Sequence, residues 1–520
     1  MDTKEILSFC IGKGILLDNE VLSLFSEAKN SDSVKLMLSK VIEKTSQKII
    51  TKKVFQENED AVMNALYTIP GKDKEYLEEL TIKLGLSLEI SSKRKALDKK
   101  EEIVSETGMS PVKIFAPHLK MDKKLEVKDF TNHFRNRFSE IRDFLKEHPK
   151  LTNLVSIGKV SRDNQRISVI GMIYSKKVTK NKNIIFEVED HTGKINILVT
   201  LNKPELYNLA EEVTLDSVLG FTGFGNKEIL FANDIVFPDM SNLSQKKAPI
   251  EEHALFISDV HVGTERFMEK NFLKFINYLN GNIPGTSGFD KVKYLFIVGD
   301  LVAGVGEYPN QDKDLAIKDI EGQYIKLAEY LKMIRKDIQI IILPGNHDCV
   351  RLMEPQPVLD EKFAWPLYEL ENALFASSPS IINIGARGDF EGFNILAYHG
   401  FSYTYYAKTV PSLIKEDAVN SPNKIIEYLL KNRHLAPTHT SVQYFPSEKD
   451  NLLIRFAPDV VVSGHLHKST VSKHNGITVI SNSCWEELYA YQEKYGCKPD
   501  YCKVPSFNLK TGEVKILDFE

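Results

Sequence analysis

The sequence predicts a multidomain chain that ends in a large α/β domain, preceded by a small β-barrel and a helical module. The main observation is an alternation of strand, loop and helix patterns from His253 to the C-terminus. Short strand patterns separated by turn residues occupy positions 151 to about 238. Apolar residues at helical spacing mark positions 1 to about 85. The length of 520 residues and the hydrophobic fraction of 42% are compatible with several packed domains.

Residues 1–88 are predicted to form a small helical module, because apolar residues recur there at helical spacing and Ser31 to Ser33 reads as a helix start. The absence of chemistry-bearing motifs in this part favours docking over catalysis. The next segment, residues 89–125, is polar, rich in lysine and glutamate, and interrupted by prolines. This composition predicts a flexible charged linker.

Residues 126–240 are predicted to contain an amphipathic helix followed by a barrel. Phe130, Phe134 and Phe138 recur every four residues and mark the apolar stripe of the helix. Five strand patterns follow, at 167–174, 184–188, 195–201, 218–222 and 229–236, with a helix-like segment at 204–211 before the fourth. This order is typical of a small Greek-key barrel of the OB type.

A lysine-rich loop is predicted between the first two strands of that barrel. Its lysines are Lys176, Lys177, Lys180 and Lys182. They are candidate contacts to nucleic acid, since lysines bind phosphates, although a solvated hairpin tip accounts for them equally well. The barrel sequence shows no obvious run of exposed aromatic residues, so a protein-docking role for this domain stays open as well.

Charge, cysteine content and hydropathy restrict the class of protein. A formal net charge of −4 excludes a strongly basic field around the whole chain, so contact with nucleic acid must come from local patches or from a partner. There are five cysteines, and no apolar stretch approaches ~20 residues. We therefore expect a reduced, cytoplasmic protein with no membrane contact. Cys497 and Cys502 lack a second cysteine pair, which argues against a zinc site there.

Five short segments in the second half of the chain place metal-ligand side chains at the end of a predicted strand. The segments are Ser258-Asp259-Val260-His261, Gly299-Asp300, Gly345-Asn346-His347-Asp348, Tyr398-His399-Gly400 and Gly464-His465-Leu466-His467. A single histidine of this kind is more often a structural residue. Five such strand ends together are not expected by chance, and they predict a binuclear metal site.

The donor types of these segments indicate which cations fit. Asp259 and His261 are two residues apart, so both face one side of an extended strand end and can reach one ion. Asp300 can bridge two ions with its two oxygens. Mixed nitrogen and oxygen donors favour manganese, with iron, zinc or magnesium as alternatives, over calcium. Two such ions polarise a phosphoryl group and activate a water molecule.

The order of these segments resembles the calcineurin-like metallophosphoesterase family over about residues 253–490. The resemblance implies that Asp259, His261, Asp300 and His467 hold one cation, and that Asp300, Asn346, His399 and His465 hold the other. It also implies that His347 is the catalytic acid and that Asp348 orients it. The fold implied for residues 250–520 is a two-sheet β-sandwich flanked by helices.

Further segments are similar to the small, exonuclease subunit of archaeal family D DNA polymerase. They are Gly304 to Gln311, Glu354 to Pro357 and Arg433 to Thr438. This resemblance implies a 3′–5′ exonuclease that removes misincorporated nucleotides from single-stranded or mismatched 3′ ends, for a large catalytic polymerase subunit. The sliding clamp and primase are further partners that it allows, although neither terminus carries a clear clamp-binding motif.

Two other functions stay open at this point. A small polymerase subunit that has lost its metal ligands would serve only as a scaffold, but every expected ligand is present here. A stand-alone phosphatase or phosphodiesterase would use the same metals. One departure from the family pattern is Ala303, where an aspartate is usual, and we expect retained but altered activity from it.

Aromatic residues supply the last candidate contacts. The segment after His399 is rich in tyrosine, and Tyr403 and Tyr405 are candidates to stack on a 3′-terminal base. Packing against a helix is the alternative. Near the C-terminus, Trp485 and the tyrosine-rich residues 488–501 are a candidate surface for the large subunit, or part of the core.

Overall fold

The computed structural model describes residues 3–18, 48–57, 112–115, 124–242, 246–488 and 498–520, together with isolated positions between 21 and 45. The chain divides into two compact units, Met1–Glu106 and Thr107–Glu520. Most of the predicted linker and the helix start predicted at residues 31–33 lie outside the described residues. Among the described residues, no helix is long and apolar enough to cross a membrane.

The first unit contains helices and a two-stranded sheet in the part that is described. Helix α1 spans Thr3–Gly12 and helix α2 spans Lys52–Glu57. Strand β1 (Leu16–Leu17) pairs in parallel with β2 (Ile49–Ile50). Ile6 and Cys10, which are four residues apart in α1, are both buried. The apolar spacing read from the sequence therefore corresponds to a buried helix face.

The second unit starts with strand β3 (Lys113–Phe115), which lies inside the segment predicted as a linker. Helix α3 (Val127–Lys146) follows, and its side chains Phe138, Ile141 and Leu145 are buried against the next domain. The strand pairing of β3 is antiparallel to residues 381–383. A three-residue strand carries too short an alternation to be read from a sequence.

A closed barrel of five strands follows α3. Its elements are β4 (Gln165–Val178), β5 (Ile184–Asp190), β6 (Gly193–Val199), helix α4 (Pro204–Glu211), β7 (Val218–Gly225) and β8 (Ile229–Val236). The strand order is β4-β5-β6-β8-β7, and β6 and β8 form the one parallel pair of the barrel. Strand β4 closes the barrel because its first half pairs with β7 and its second half with β5.

Two six-stranded mixed sheets form the C-terminal domain. The first contains β12 (Ala373–Phe375), β11 (Gln339–Leu343), β10 (Val292–Val298), β9 (His253–Ile257), β18 (Lys503–Asn508) and β19 (Val514–Asp518), in this order. The second contains β16 (Thr470–His474), β17 (Ile477–Ser481), β15 (Val460–Ser463), β14 (Phe393–Ala397), β13 (Ser380–Ile384) and β3.

The two sheets pack face to face and helices cover their outer faces, as the sequence predicted for this domain. The helices are α5 (Glu269–Leu279), α6 (Ile320–Lys332), α7 (Glu361–Tyr368), α8 (Tyr403–Thr409), α9 (Pro411–Lys415) and α10 (Pro422–Lys431). Alternation along β9 shows the arrangement: Ala254 and Phe256 pack between the sheets, whereas Leu255 and Ile257 pack towards the helices. Near-continuous apolar strands are expected when both faces of a sheet are buried.

A buried polar cluster joins helix α3 to the C-terminal domain. The Arg137 guanidinium donates from Nε to Asp450 Oδ2 at 2.5 Å and from Nη1 to the Pro437 carbonyl at 2.6 Å. His133 Nε2 and His434 Nε2 lie 3.2 Å and 2.8 Å from the same carboxylate oxygen. Asp450 and Arg137 are both almost fully buried. The helix is therefore fixed by a charge pair shielded from water.

This cluster predicts that the protein loses stability on acidification. Burial and the nearby Arg137 lower the pKa of His434 to about 4, whereas an unfolded histidine titrates near ~6.5. Between these two pH values His434 is protonated in the unfolded chain but neutral in the folded protein, so the free energy of unfolding falls as pH decreases from ~6.5 towards 4. At ~1.4 kcal/mol per pKa unit, the loss amounts to a few kcal/mol.

The measurement is the thermal unfolding midpoint against pH for the wild type and His434→Gln. The wild type should lose stability relative to the variant as the pH falls through this window, since glutamine does not titrate. Below ~4 the contribution of Asp450 to stability is lost too, because its pKa in the folded protein is well below the usual value. Burial raises this pKa, but Arg137, His434 and His133 lower it by more. Parallel pH profiles between 6.5 and 4 would contradict the prediction.

Candidate metal centre

Strand ends from both sheets meet at one edge of the sandwich. Strands β9, β10 and β11 are parallel neighbours in the first sheet, and β14 and β15 are parallel neighbours in the second. The residues that directly follow these strands are Asp259, His261, Asp300, Asn346, His347, His399, His465 and His467. Since the carboxyl ends of parallel strands lie at the same edge of a sheet, residues separated by up to 208 positions in the sequence converge there.

The backbone at this edge is held in a conformation that few residues adopt. Five non-glycine residues have left-handed φ values: Asp259 (51°), His261 (52°), Asp300 (50°), His465 (72°) and His467 (55°). Non-glycine residues seldom occupy this region, and such strain clusters at functional sites. The turns are also tight, because a Cβ at Gly345 would lie 2.2 Å from Asp300 Oδ1 and one at Gly464 would lie 2.5 Å from Asp259 Oδ2.

Two groups of donor atoms form within the cluster. In the first, His467 Nε2 lies 3.3 Å from Asp259 Oδ1 and 3.3 Å from His261 Nε2. In the second, His399 Nε2 lies 3.3 Å from Asp300 Oδ2 and 3.1 Å from Asn346 Oδ1. Within the described residues, the triads Asp259–His261–His467 and Asp300–His399–His465 each place one ligand atom per residue within 4.8 Å of the others. Both triads belong to the two ligand sets inferred from the sequence.

The four ligand histidines differ in protonation state. Burial, followed by repulsion from neighbouring histidines, lowers the pKa of His261 and of His465 to about 3, so both rings are neutral and keep a lone pair. Burial raises the pKa of Asp300, but attraction to His399 and His347 outweighs it and holds the pKa well below the usual value. Burial lowers the pKa of His399, but Asp300 raises it to a net value of about 10. Burial likewise lowers the pKa of His467, but Cys484 and Asp259 raise it well above its usual value. Ionised carboxylates and neutral imidazoles are the donors that divalent transition metals take, so His399 and His467 would release a proton on binding a cation.

His347 is oriented by a backbone carbonyl. Its Nδ1 lies 2.9 Å from the Ala303 oxygen, which can only accept, so Nδ1 carries the proton. The same carbonyl also accepts a bond from Gln311 Nε2 at 2.9 Å. His347 Nε2 consequently points to the centre, 3.9 Å from Asp300 Oδ2. Ala303 therefore contacts His347 and Gln311 through its main-chain carbonyl.

The Asp348 carboxylate, which the resemblance implies orients His347, is bonded in the described structure to groups other than the His347 ring. The Asp348 carboxylate accepts bonds from the backbone nitrogens of Leu301 and Gly345, at 3.2 Å and 2.8 Å, and from the Tyr324 hydroxyl at 3.3 Å. Asp348 thus connects the loop after β11 to the loop after β10. It positions the segment that carries Asn346 and His347 against Asp300, without touching the His347 ring in these bonds.

Two residues near the centre were not predicted. Glu486 Oε1 lies 3.7 Å from His261 Nε2, and burial raises the pKa of this carboxyl group to about 7. The Cys484 side chain is hydrogen-bonded to His467 and is fully buried. Both residues follow β17, the parallel neighbour of β15 in the second sheet. The signal in the sequence is the same as for the other candidates, because both residues follow the apolar strand β17.

The structure corrects part of the predicted DNA-contact set. Strand β4 continues to Val178, so Lys176 lies in the strand, where its Nζ donates to the carbonyls of Glu211 and Val213 at 2.7 Å and 2.9 Å. Burial lowers its pKa to about 8. This lysine is therefore engaged by the barrel itself. Lys177, Lys180 and Lys182 are exposed at the hairpin.

The aromatic candidates pack mainly within the domain. Tyr403 is fully buried and meets Tyr398 edge to face, with ring centres 5.7 Å apart, so it cannot stack on a base. Tyr405 is half-buried, and its hydroxyl accepts a 3.4 Å bond from Thr440. Trp485 is fully buried against Phe272, which makes it a core residue and not part of a docking surface. Residues 489–497 of the proposed surface lie outside the described residues.

The fold and this donor cluster are those of a metal-dependent phosphoesterase, and residues 253–469 match the family described as Calcineurin-like phosphoesterase. Relatives extend the similarity beyond this domain. A "DNA polymerase II small subunit" of Pyrococcus furiosus is 34% identical over 467 residues, which is 87% of this chain and 73% of the relative. Proteins of the same name from Methanothermobacter thermautotrophicus and Halobacterium salinarum are 34% and 33% identical, over 76% of this chain and 80% and 75% of theirs. The chain belongs to the family of archaeal DNA polymerase II small subunits.

Proposed function

We propose that this chain is the proofreading subunit of a heteromeric replicative DNA polymerase, with 3′–5′ exonuclease activity on single-stranded or mismatched ends. The observation that carries the proposal is the gathering of seven candidate metal-donor side chains at one edge of the sandwich, in a chain whose relatives are named as polymerase subunits. A scaffold without catalysis has no need for buried carboxylates and imidazoles gathered at one point. The large catalytic subunit is the proposed partner.

In the proposed reaction the chain's own residues hold the cations, keep the donor atoms aligned and protonate the leaving oxygen. Asp259, His261, Asp300 and His467 would hold one divalent cation, and Asp300, Asn346, His399 and His465 the other, with manganese as the expected metal. When bound, the two cations would stabilise negative charge on the phosphate and lower the pKa of a water molecule. The left-handed turns and the bonds of Asp348 keep the donors in place before the substrate arrives.

His347 is the proposed general acid for the departing 3′ oxygen. Burial lowers the pKa of His347, but Asp300 and the bond from Nδ1 to the Ala303 carbonyl raise it by more, so the pKa lies above its usual value. The raised pKa favours the imidazolium, whose Nε2 proton faces the centre. After the proton transfer, the ring remains oriented by the Ala303 carbonyl, and so it can be reprotonated for the next cleavage.

The barrel is proposed to be of the OB type and to contact the DNA strand. In support, its five strands close in the order β4-β5-β6-β8-β7, a helix separates the third and fourth strands, and the third and fifth are parallel. Lys177, Lys180 and Lys182 would contribute phosphate contacts at the exposed hairpin. We also propose a cytoplasmic location, with the sliding clamp and primase as further partners of the assembled polymerase.

The test is the manganese-dependent degradation of a 5′-labelled single strand by the purified chain and by His347→Gln. We expect stepwise loss from the 3′ end, and a ~10²–10⁴-fold lower rate for the variant, as is usual for a lost general acid. His191→Gln, an exposed histidine of the barrel, is the matched control and should cleave normally. Cleavage of small phosphodiesters but of no DNA strand would favour a stand-alone phosphodiesterase. Failure to bind manganese or to cleave either substrate, alone or with the large subunit, would favour a scaffold.

A further inference from the structure

A cavity of about 790 Å³ lies directly beside His347. Its lining comes from the loop after β10, with Val305 and Glu307, and from the segment between β11 and α7, with Pro357 and Val358. The stretches 304–311 and 354–357 carried the resemblance to polymerase subunits, yet neither belongs to the metal-binding triads of the described residues. Both contribute to this cavity, which accounts for their presence beside the metal centre.

The lining offers apolar surface to a small ligand. Val305, Val350 and Val358 provide aliphatic surface, and Val305 and Val358 are 50% and 43% exposed. Arg351, Glu307 and Asp360 lie in the same lining. The Arg351 guanidinium donates to the Met353 and Pro355 carbonyls. The volume is within the range of ~300–1,000 Å³ that is typical of small-ligand sites. Exposed aliphatic side chains that line a concave site next to a reactive group indicate a surface which a ligand covers.

Building on the proposed exonuclease function, we propose that this cavity receives the unstacked 3′-terminal nucleoside of the DNA strand, with its base against Val305 and Val358. The terminal nucleoside is the one unit of a strand that has no 3′ neighbour, so it alone fits a cavity sized for a small ligand. His347 is part of the lining, which places the cavity within one nucleotide of the reacting phosphate. Enzymes that act on an extruded base commonly hold it between apolar side chains.

This assignment gives the site a physical basis for selecting mismatched ends. A paired terminal base must lose its partner and its stacking before it enters the cavity, whereas a mismatched base has already lost most of this stabilisation. The cavity therefore needs no contact that distinguishes one base from another. Selection follows from the cost of extraction, and the aliphatic lining accepts any of the four bases.

The experiment compares release of a normal 3′-terminal nucleotide with release of a 3′-terminal abasic (tetrahydrofuran) residue, for the full chain loaded with manganese. The wild type should favour the normal end about tenfold in kcat/KM, as expected when roughly 55 Å² of apolar base surface is buried against the two valines. In the double variant Val305→Gln/Val358→Gln this preference should fall to about one. Ile516→Gln, which changes an exposed aliphatic residue of the edge strand β19, is the control and should keep the preference.

A binding measurement separates this proposal from the proposed function. Calorimetric titration with deoxyadenosine monophosphate and with deoxyribose 5-phosphate should show about tenfold tighter binding of the nucleotide by the wild type, and equal binding of the two by the double variant. Base-dependent binding without cleavage would sustain the cavity assignment and refute the exonuclease. Cleavage with an unchanged preference in the double variant, or a preference set by the penultimate base, would overturn the cavity assignment alone.

Discussion

Replacement of Asp300 by asparagine is expected to abolish cation binding at the bridging position and to reduce strand cleavage by roughly 10³-fold or more. Asp300 is the one residue shared by both ligand sets, and its Oδ2 faces His261, His347 and His399 at 3.9, 3.9 and 3.3 Å. A metal ion supplies several kcal/mol of charge stabilisation, and each ~1.4 kcal/mol corresponds to a tenfold change in rate.

Asparagine is the appropriate replacement because it preserves the local structure. It tolerates the left-handed φ of 50° at this position, and its amide oxygen can still accept the 2.9 Å bond from the His347 backbone nitrogen. Manganese titration by calorimetry and cleavage of a labelled strand are the two measurements. Asp417→Asn is the matched control, because Asp417 has the same φ of 50° but is exposed and outside the centre. Wild-type cleavage by Asp300→Asn would refute the assignment of the site.

Replacement of Arg137 by methionine is expected to weaken the attachment of helix α3 to the C-terminal domain by ~3–5 kcal/mol, the usual effect of removing one partner from a buried ion pair. Methionine fills a similar volume but leaves the Asp450 carboxylate buried without its strongest partner. The Pro437 carbonyl loses a 2.6 Å bond at the same time. Hydrogen exchange of the α3 amides should become faster by roughly 10²-fold or more, as each ~1.4 kcal/mol corresponds to tenfold.

The control for this variant is Arg135→Met on the same helix. Arg135 is exposed, so its replacement should change stability by no more than ~0.5 kcal/mol. Adding Asp450→Asn to Arg137→Met should restore part of the loss, because the buried charge is removed with its partner. Equal exchange rates for the wild type and Arg137→Met would show that the cluster does not hold the helix.

The sequence alone predicts the α/β class of the C-terminal domain and a set of candidate donors for its centre. Apolar strands that alternate with helices predict an α/β domain, the family resemblance implies the sandwich, and the polar residues that follow those strands predict the donors. The domain and the gathering of these side chains at one sheet edge follow from local patterns: strand burial and the position of a side chain relative to a strand end. The same local reasoning missed β3 and Glu486, whose roles depend on pairing with a distant strand and on the approach of a neighbouring strand end.

Tertiary structure decided the details that depend on contacts between segments far apart in the chain. The sequence could not show that Asp348 bonds the Leu301 nitrogen and that the Ala303 carbonyl orients His347, because each partner lies more than 40 residues away. Nor could it show that Lys176 and Tyr403, although polar or aromatic residues in promising segments, are already engaged inside their own domains. Sequence determines which side chains are available to a site. Packing determines which of these side chains remain free for a substrate, because a buried donor or ring already has its partners inside the protein.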